Sequence, residues 1–226
     1  MKTYLFGAGG FSREVLWLLD ECSAAQSLPW LPTAFVDRDG SGAVGSEISG
    51  LPVLSETDFI ALGDEPGACI IALGDPAIRR RIVSQIEKER PHVTFPTLVH
   101  PSVRTPRGSM RPSIGKGCLI SSGCLLSCDT QIGDFVVVNW DCSIGHDSHI
   151  GSFTTLSPSV RIAGNVFVGE EAYFGAQSCT AERITVGDRV RLGAGCTLIK
   201  SAPEPGTLLT GVYIGQPGMR LRQTDV

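Results

Sequence analysis

The stretch that decides the fold runs from residue 142 to residue 169 and reads CSIGHDSHIGSFTTLSPSVRIAGNVFVG. A large apolar residue returns at every sixth position: Ile144, Ile150, Leu156, Ile162 and Val168. Outward from this core the frame holds without a slip, through Ile114, Ile120, Leu126, Ile132 and Val138 on one side. On the other it passes through Phe174, Thr180, Val186, Leu192 and Leu198, with Thr180 the single break in apolar character. The residue after each is usually tiny, as at Gly115, Ser121, Gly133, Gly145, Gly151, Ala163, Gly169, Gly175, Gly187 and Gly193. Two positions before each sits a small or β-branched residue, with Cys118, Cys124, Cys142 and Cys196 in this one column.

A period of six fits neither an α-helix nor a long strand. Residues two apart on a strand face the same side, so the main column and the column two before it point inward together. The tiny residue then falls at a corner, either because a side chain would clash there or because the chain takes a positive φ. Each hexad is thus a short strand plus a turn, and the repeats predict a parallel β-helix.

Residues 1–92 read differently. Tyr4-Leu5-Phe6 predicts a buried strand, followed by Gly7-Ala8-Gly9-Gly10. Phe11, Val15, Leu18 and Leu19 then recur at helical spacing. Thr33–Val36 predicts a second strand ending at Asp37, and Cys69–Leu73 a third, ending at Gly74-Asp75. Ile78, Ile82, Val83 and Ile86 mark another helix. Strand and helix in alternation predict a small Rossmann-like parallel sheet. A glycine turn opening a helix can hold a phosphate against backbone N–H groups, although here the third fingerprint glycine is Ser12, and the same glycines also suit a plain tight turn. Asp37 at the end of the second strand stands where a carboxylate reads a ribose or base, or where an ordinary turn residue sits. The half-domain is too short for a dinucleotide, which points to a single nucleotide. The expected boundaries are 1–92 for this domain, 93–205 for the β-helix and 206–226 for a C-terminal tail.

Composition narrows the function. Lys+Arg is 19 and Asp+Glu 23 in 226 residues, a net charge of −4, with no long basic run; bulk attraction to nucleic acid or anionic membrane is not expected. No stretch approaches a membrane span, and the N-terminus lacks a secretory pattern, so a cytoplasmic location is expected. The eight cysteines contain no C-x-x-C pair, and most read as small buried hydrophobes.

The two-part layout resembles the hexapeptide-repeat sugar acyltransferases of the sialic-acid O-acetyltransferase and bacillosamine-pathway N-acetyltransferase type. The matching stretches are Gly7-Ala8-Gly9-Gly10-Phe11-Ser12-Arg13-Glu14-Val15, Phe35-Val36-Asp37, Leu73-Gly74-Asp75 with Arg79, and Val99-His100-Pro101-Ser102. In the repeats they are Asn139, Ile144-Gly145-His146-Asp147, Ala163-Gly164-Asn165-Val166 and Gly193-Ala194-Gly195.

The resemblance implies a left-handed β-helix of three hexads per coil, although the general rule for parallel crossovers is right-handed. It implies a homotrimer and acetyl transfer from acetyl-CoA to a sugar, often nucleotide-linked, with no metal. It makes His146 the general base, Asp147 its carboxylate partner and the Gly164 N–H the group that holds the thioester oxygen. Thr155, Gly164, Ala176 and Ala194 are placed near acetyl-CoA. Gly9, Gly10, Phe11, Asp37, Arg38, Gly74 and Asn139 are placed on the acceptor. Thr155 and Phe11 depart from the His found in many relatives. Gly215-Gln216-Pro217-Gly218 resembles the closing Gly-x-Pro-Ala turn of the family. His149 reads as a surface residue and His100-Pro101 as a linker. Two other readings are a γ-class carbonic anhydrase, which needs more histidines than His146 and His149 in the repeats, and a non-catalytic nucleotide-sugar-binding scaffold.

Overall fold

The computed structural model describes residues 1–214, and contacts divide the chain into two units, Met1–Pro101 and one that begins at Ser102. Gly215-Gln216-Pro217-Gly218, Arg220 and Arg222 lie outside the described residues.

In the first unit, β1 (Lys2–Phe6) leads through Gly7–Gly9 into α1 (Gly10–Gln26). Then come β2 (Leu31–Asp37), β3 (Glu47–Ile48), β4 (Leu51–Ser55), α2 (Glu56–Ala61), β5 (Ala68–Ile71) and α3 (Pro76–Glu89). The sheet order is β3-β4-β2-β1-β5, parallel except for the β3–β4 pair. Leu5, Phe35, Val36 and Ile70 at its centre are at most 1% exposed, as expected of a parallel sheet covered on both faces. The helix α1 buries Ser12, Val15, Leu18, Leu19 and Cys22, one stripe at i, i+3, i+4 spacing. Its end is set by Ser27 in the left-handed region, whose N–H bonds to Ser23 O at 2.9 Å. Buried Arg90 closes the unit beneath α2. It donates to Gly63 O at 2.8 Å and Glu65 O at 2.6 Å and lies over the Phe59 ring. The sequence reading contains three strands and two helices here; β3, β4 and α2 are additions, too short to show a period.

The second unit is the left-handed parallel β-helix, with two-residue strands on three faces. Face I carries Ser113–Ile114, Gln131–Ile132, His149–Ile150, Phe167–Val168 and Thr185–Val186. Face II carries Leu119–Ile120, Val137–Val138, Thr155–Leu156, Tyr173–Phe174, Arg191–Leu192 and Leu208–Leu209. Face III carries Leu125–Leu126, Ser143–Ile144, Arg161–Ile162, Cys179–Thr180, Thr197–Leu198 and Val212–Tyr213. Successive strands on a face are 18 residues apart through Leu198, as in Gln131↔His149 and Ser143↔Arg161, which gives three hexads per coil. The inward columns are buried from Ile120 to Leu198. Beyond Pro203 the chain leaves the hexad frame, yet Leu208–Leu209 and Val212–Tyr213 still extend faces II and III.

The structure chooses between the two reasons for the small corner residues. A Cβ on Gly133 would lie 2.7 Å from Ser152 N, and one on Gly145 would lie 2.5 Å from Gly164 N. These positions are small because the next coil passes directly over them. Positive φ falls instead two residues later, at Phe135, Asp141, Asp147, Phe153, Ser159, Asn165, Glu171, Gln177, Arg183 and Arg189. The coil imposes that conformation on whatever residue the sequence supplies.

All eight cysteines are free; Cys128 and Cys179 are partly exposed and the other six are buried.

Candidate active site

His146 stands at the corner between faces III and I. Its column is fixed by the coil ladder, in which Asp147 N donates to Cys128 O at 3.0 Å and Asn165 N to His146 O at 2.8 Å. Cys128 is therefore one coil below and Gly164 one coil above. The imidazole escapes the core because Ile144 and Ser148 take the inward positions, 0% and 1% exposed. Asp147, at φ 57°, turns its carboxylate back so that Oδ2 lies 2.8 Å from His146 Nδ1. That contact orients the ring with Nε2 away from Asp147, and Nε2 lies against Gly164. A Cβ on Gly164 would be 2.6 Å from Nε2. Among the described residues, no hydrogen bond takes up the Gly164 N–H. The corner thus presents a carboxylate-oriented imidazole and a free backbone donor side by side. The first can accept a proton and the second can stabilise an oxyanion.

Asn139, Ala176 and Ala194 stand elsewhere, at the corner between faces II and III. The ladder there runs from Asp141 N to Ser122 O, Gln177 N to Pro158 O and Gly195 N to Ala176 O. Asn139 turns its Oδ1 to the Trp140 N–H at 2.9 Å. Thr155 is on face II between Val137 and Tyr173 and only 4% exposed. The four residues do not meet His146 within one chain. His149 lies on face I, stacked on Phe167 with ring centroids 4.9 Å apart.

In the first unit, β1 and β5 are neighbours, with Phe6 paired to Ile71, so the loops that follow them open side by side. This is where open α/β sheets bind ligands. Gly7 is required: its φ is +109°, and a Cβ would lie 2.8 Å from Ser12 Oγ and 2.9 Å from Ala72 O. Buried Arg79 pins the second loop by donating to Leu73 O at 2.6 Å. The two helix starts differ. Asp75 caps α3, accepting from Ala77 N and Ile78 N, whereas α1 begins at Gly9 with no side-chain cap. The N-terminus of α1 is the one left open to an anion.

A cavity of about 340 Å³ lies at the ends of β1 and β2, walled by Phe6, Gly7, Asp37, Arg38, Glu56, Leu73, Ile78 and Arg81 among others. Of the expected acceptor residues, Asp37 and Arg38 line it; Gly9, Gly10, Phe11 and Gly74 are not among its walls. Asp37 is committed in part to its own loop, accepting from Arg38 N at 2.9 Å and Ser41 Oγ at 2.7 Å. The sequence reading misses Glu56 and Arg81, which lie 3.5 Å apart. The available signal was the helical stripe Ile78, Arg81, Ile82.

Residues 2–86 match the PglD N-terminal domain family. Among solved structures, WeeI from Acinetobacter baumannii AYE is 26% identical, with a TM-score of 0.81 over 93% of this chain and 97% of that one. The acetyltransferase domain of PglB from Neisseria gonorrhoeae FA1090 is 25% identical, with a TM-score of 0.79 over 97% and 99%. It has also been solved in complex with acetyl coenzyme A. PerB from Caulobacter crescentus, in complex with CoA and GDP-perosamine, shares the fold at 23% identity and a TM-score of 0.78, over 93% and 94%.

By its likeness over nearly its whole length to an acetyltransferase domain, the chain is an acyltransferase.

In this acyltransferase no group of three or more metal-ligating side chains occurs among the described residues. No helix among them is long and apolar enough to cross a membrane.

Proposed function

We propose that this acyltransferase moves an acetyl group from acetyl-CoA to an amine or hydroxyl of a sugar, in most uses one linked to a nucleotide for surface polysaccharide or glycan synthesis. The observation that carries the reading is the His146–Asp147 pair, 2.8 Å apart, with Nε2 set against Gly164. The PglB domain supports acetyl-CoA as donor, since that protein has been solved with it.

The proposed steps use this geometry. Asp147 accepts a hydrogen bond from the Nδ1–H of His146, which keeps that proton on Nδ1 and leaves the lone pair on Nε2. Nε2 takes a proton from the acceptor as its nitrogen or oxygen attacks the thioester carbonyl. The Gly164 N–H stabilises the oxyanion that forms. Collapse of the tetrahedral intermediate breaks the C–S bond, and His146 returns the proton to the departing thiolate. Acetylated sugar and CoA leave, and no acyl-enzyme forms.

The nucleotide is held in the first unit, with phosphate at the open start of α1 beside Gly9, Gly10 and Phe11, and ribose or base near Asp37, Arg38 and Gly74. The assembly is a homotrimer acting in the cytoplasm. Support for the trimer is the separation of His146 from Asn139, Ala176 and Ala194 on two corners, since a site using both corners needs a second chain.

The test is turnover with acetyl-CoA and a panel of amino-sugar nucleotides, following CoA by chromatography rather than by a thiol dye. His146→Ala is expected to lower kcat by about 10²- to 10⁴-fold while acetyl-CoA still binds. Unchanged turnover in that variant would remove His146 as the base.

A further inference from the structure

The cavity at the ends of β1 and β2 holds a carboxylate that the reading above leaves without a task. Glu56 is the first residue of α2, directly after β4, and its side chain is only 15% exposed. Its neighbours fix its place. Ser55 Oγ accepts from Asp58 N at 2.9 Å, and Asp58 Oδ2 accepts from Ser55 N at 3.4 Å, so a capping box closes the helix start. Asp39 Oδ1 accepts from Thr57 N at 3.3 Å, which ties the loop after β2 to the same turn. The cap is made by Ser55 and Asp58 and does not call on Glu56. Among the described residues the one partner of Glu56 is Arg81, 3.5 Å from Oε1. A largely buried carboxylate with a single long contact keeps most of its acceptor capacity for something else.

Sheet order says which part of a nucleotide reaches it. The strands run β4-β2-β1, with Asp37 paired to Ser55 and Val36 to Phe6. The strand ends that wall the cavity therefore follow one another as Gly7, Asp37 and Glu56, on neighbouring strands about 4.8 Å apart. With phosphate at the start of α1, after β1, and ribose at Asp37, after β2, the base arrives at the end of β4. Leu73, Ile78 and Ile82 supply an apolar wall to the same cavity, and Ile78 is 48% exposed, a surface for a flat ring to lie against.

The pair at that end selects among bases. A carboxylate accepts two hydrogen bonds side by side. Guanine is the common base with two adjacent donors on its pairing edge, N1–H and N2–H, and its acceptor O6 follows next to N1. Glu56 suits the two donors, and Arg81 beside it suits O6. Uracil and thymine flank a single N3–H with carbonyls, one of which would face a carboxylate oxygen. Adenine and cytosine set a ring acceptor next to their amino group. We propose that Glu56 reads the base and that the acceptor sugar is carried on a guanine nucleotide, an inference that rests on the nucleotide-linked reading above.

Calorimetric binding to the whole chain, without acetyl-CoA, tests the base apart from the chemistry. The probes are GDP, IDP, UDP, dTDP, CDP and ADP. GDP is expected to bind at least tenfold more tightly than each of the others. IDP keeps N1–H and O6 but lacks the 2-amino group, so the GDP–IDP ratio isolates the second donor. Glu56→Gln is expected to weaken GDP at least tenfold, to leave UDP within twofold, and to bring GDP and IDP within twofold of each other. A merely structural Glu56 would weaken all probes alike. Thermal unfolding checks that the variant folds, and the wild-type GDP–IDP ratio tests the proposal without it. Equal or tighter binding of any other probe overturns the proposal and leaves the transferase standing, as does a GDP–IDP gap that survives in Glu56→Gln. Binding of no probe also overturns it, and turnover then decides the transferase reading separately. Selection of GDP with no acetylation anywhere in the panel of amino-sugar nucleotides keeps the base assignment and overturns the transferase reading.

Discussion

Gly164→Ala separates chemistry from folding at the corner that matters. The backbone of Gly164 is not in the left-handed region, so alanine meets no conformational penalty there. Its Cβ would lie 2.6 Å from His146 Nε2, 2.9 Å from Cε1 and 3.0 Å from Cδ2. Ordinary van der Waals contact begins near 3.4 Å, so the imidazole must retreat by about 0.8 Å (3.4 − 2.6 = 0.8). The His146 side chain is 57% exposed, so it can yield into solvent. The cost to folding is small, well under about 1 kcal/mol, in keeping with a surface change that strains no backbone. The cost to catalysis is not. A displacement near 1 Å takes Nε2 off the acceptor and loosens the 2.8 Å contact with Asp147, and misplacement on that scale costs about 10²-fold, or about 2.7 kcal/mol in the barrier.

Gly133→Ala is the matching control. Its Cβ would meet Ser152 N at 2.7 Å, where the obstacle is main chain of the next coil. Nothing flexible can give way, so that variant is expected to lose about 1–3 kcal/mol of stability. The assay is kcat beside thermal unfolding for both variants. Full activity in Gly164→Ala would refute the reasoning. So would a fall in melting temperature equal to that of Gly133→Ala, because the ring would then be part of the packing rather than a free catalytic group.

Three further outcomes are expected. Asp37→Ala, which removes the acceptor of Arg38 N and Ser41 Oγ, should raise the KM for a nucleotide-linked acceptor about tenfold without moving the KM for acetyl-CoA; equal changes in both would remove Asp37 from the acceptor site. Arg90→Leu should destabilise the first unit by about 3 kcal/mol, since the carbonyls of Gly63 and Glu65 lose their charged donor, as read by denaturant unfolding. Iodoacetamide at pH 8 should modify Cys128 and Cys179 and spare the rest. Burial pushes the Cys22 thiol up to about 11, which leaves only about one in a thousand as thiolate at pH 8, so its labelling should begin only as pH climbs toward that value.

The hexad period is legible because each inward position is decided by one residue, and apolar side chains at Ile120 to Leu198 have nowhere else to go. The positive-φ positions are not legible. Phe135, Glu171 and Arg189 have no preference for the left-handed region, and only the closed coil puts them there. The corner proposed for catalysis is half legible. Ile144 and Ser148 facing inward leaves His146 outside, which the frame shows, but the approach of Nε2 to Gly164 depends on an 18-residue coil that no local pattern contains. Glu56 and Arg81 escape for the same reason, since their meeting depends on how α2 and α3 come together. The pairing of Arg104 with Leu125, 21 residues on rather than 18, escapes because it too shows only once the coils are closed.

The separation of the two corners can be put to a decisive count. His146 and Ala194 stand on different edges of face III, so a site that uses both within one chain would have to span that face. If instead each site takes His146 from one protomer and Ala194 from its neighbour, chains with different defects can complement. His146→Ala and Ala194→Trp should each be inactive alone. Co-expressed in equal amounts, they assemble at random into closed rings. A shared site has its His146 from an intact chain in half of cases and its Ala194 from an intact chain in half. About a quarter of sites are then whole, and roughly a quarter of the wild-type rate returns. If every site lies within a single chain, each chain carries one defect and no activity returns at any mixing ratio. A rate near zero in a mixed assembly confirmed by mass spectrometry would therefore place the whole site on one protomer, and the two separate corners would no longer call for a trimer.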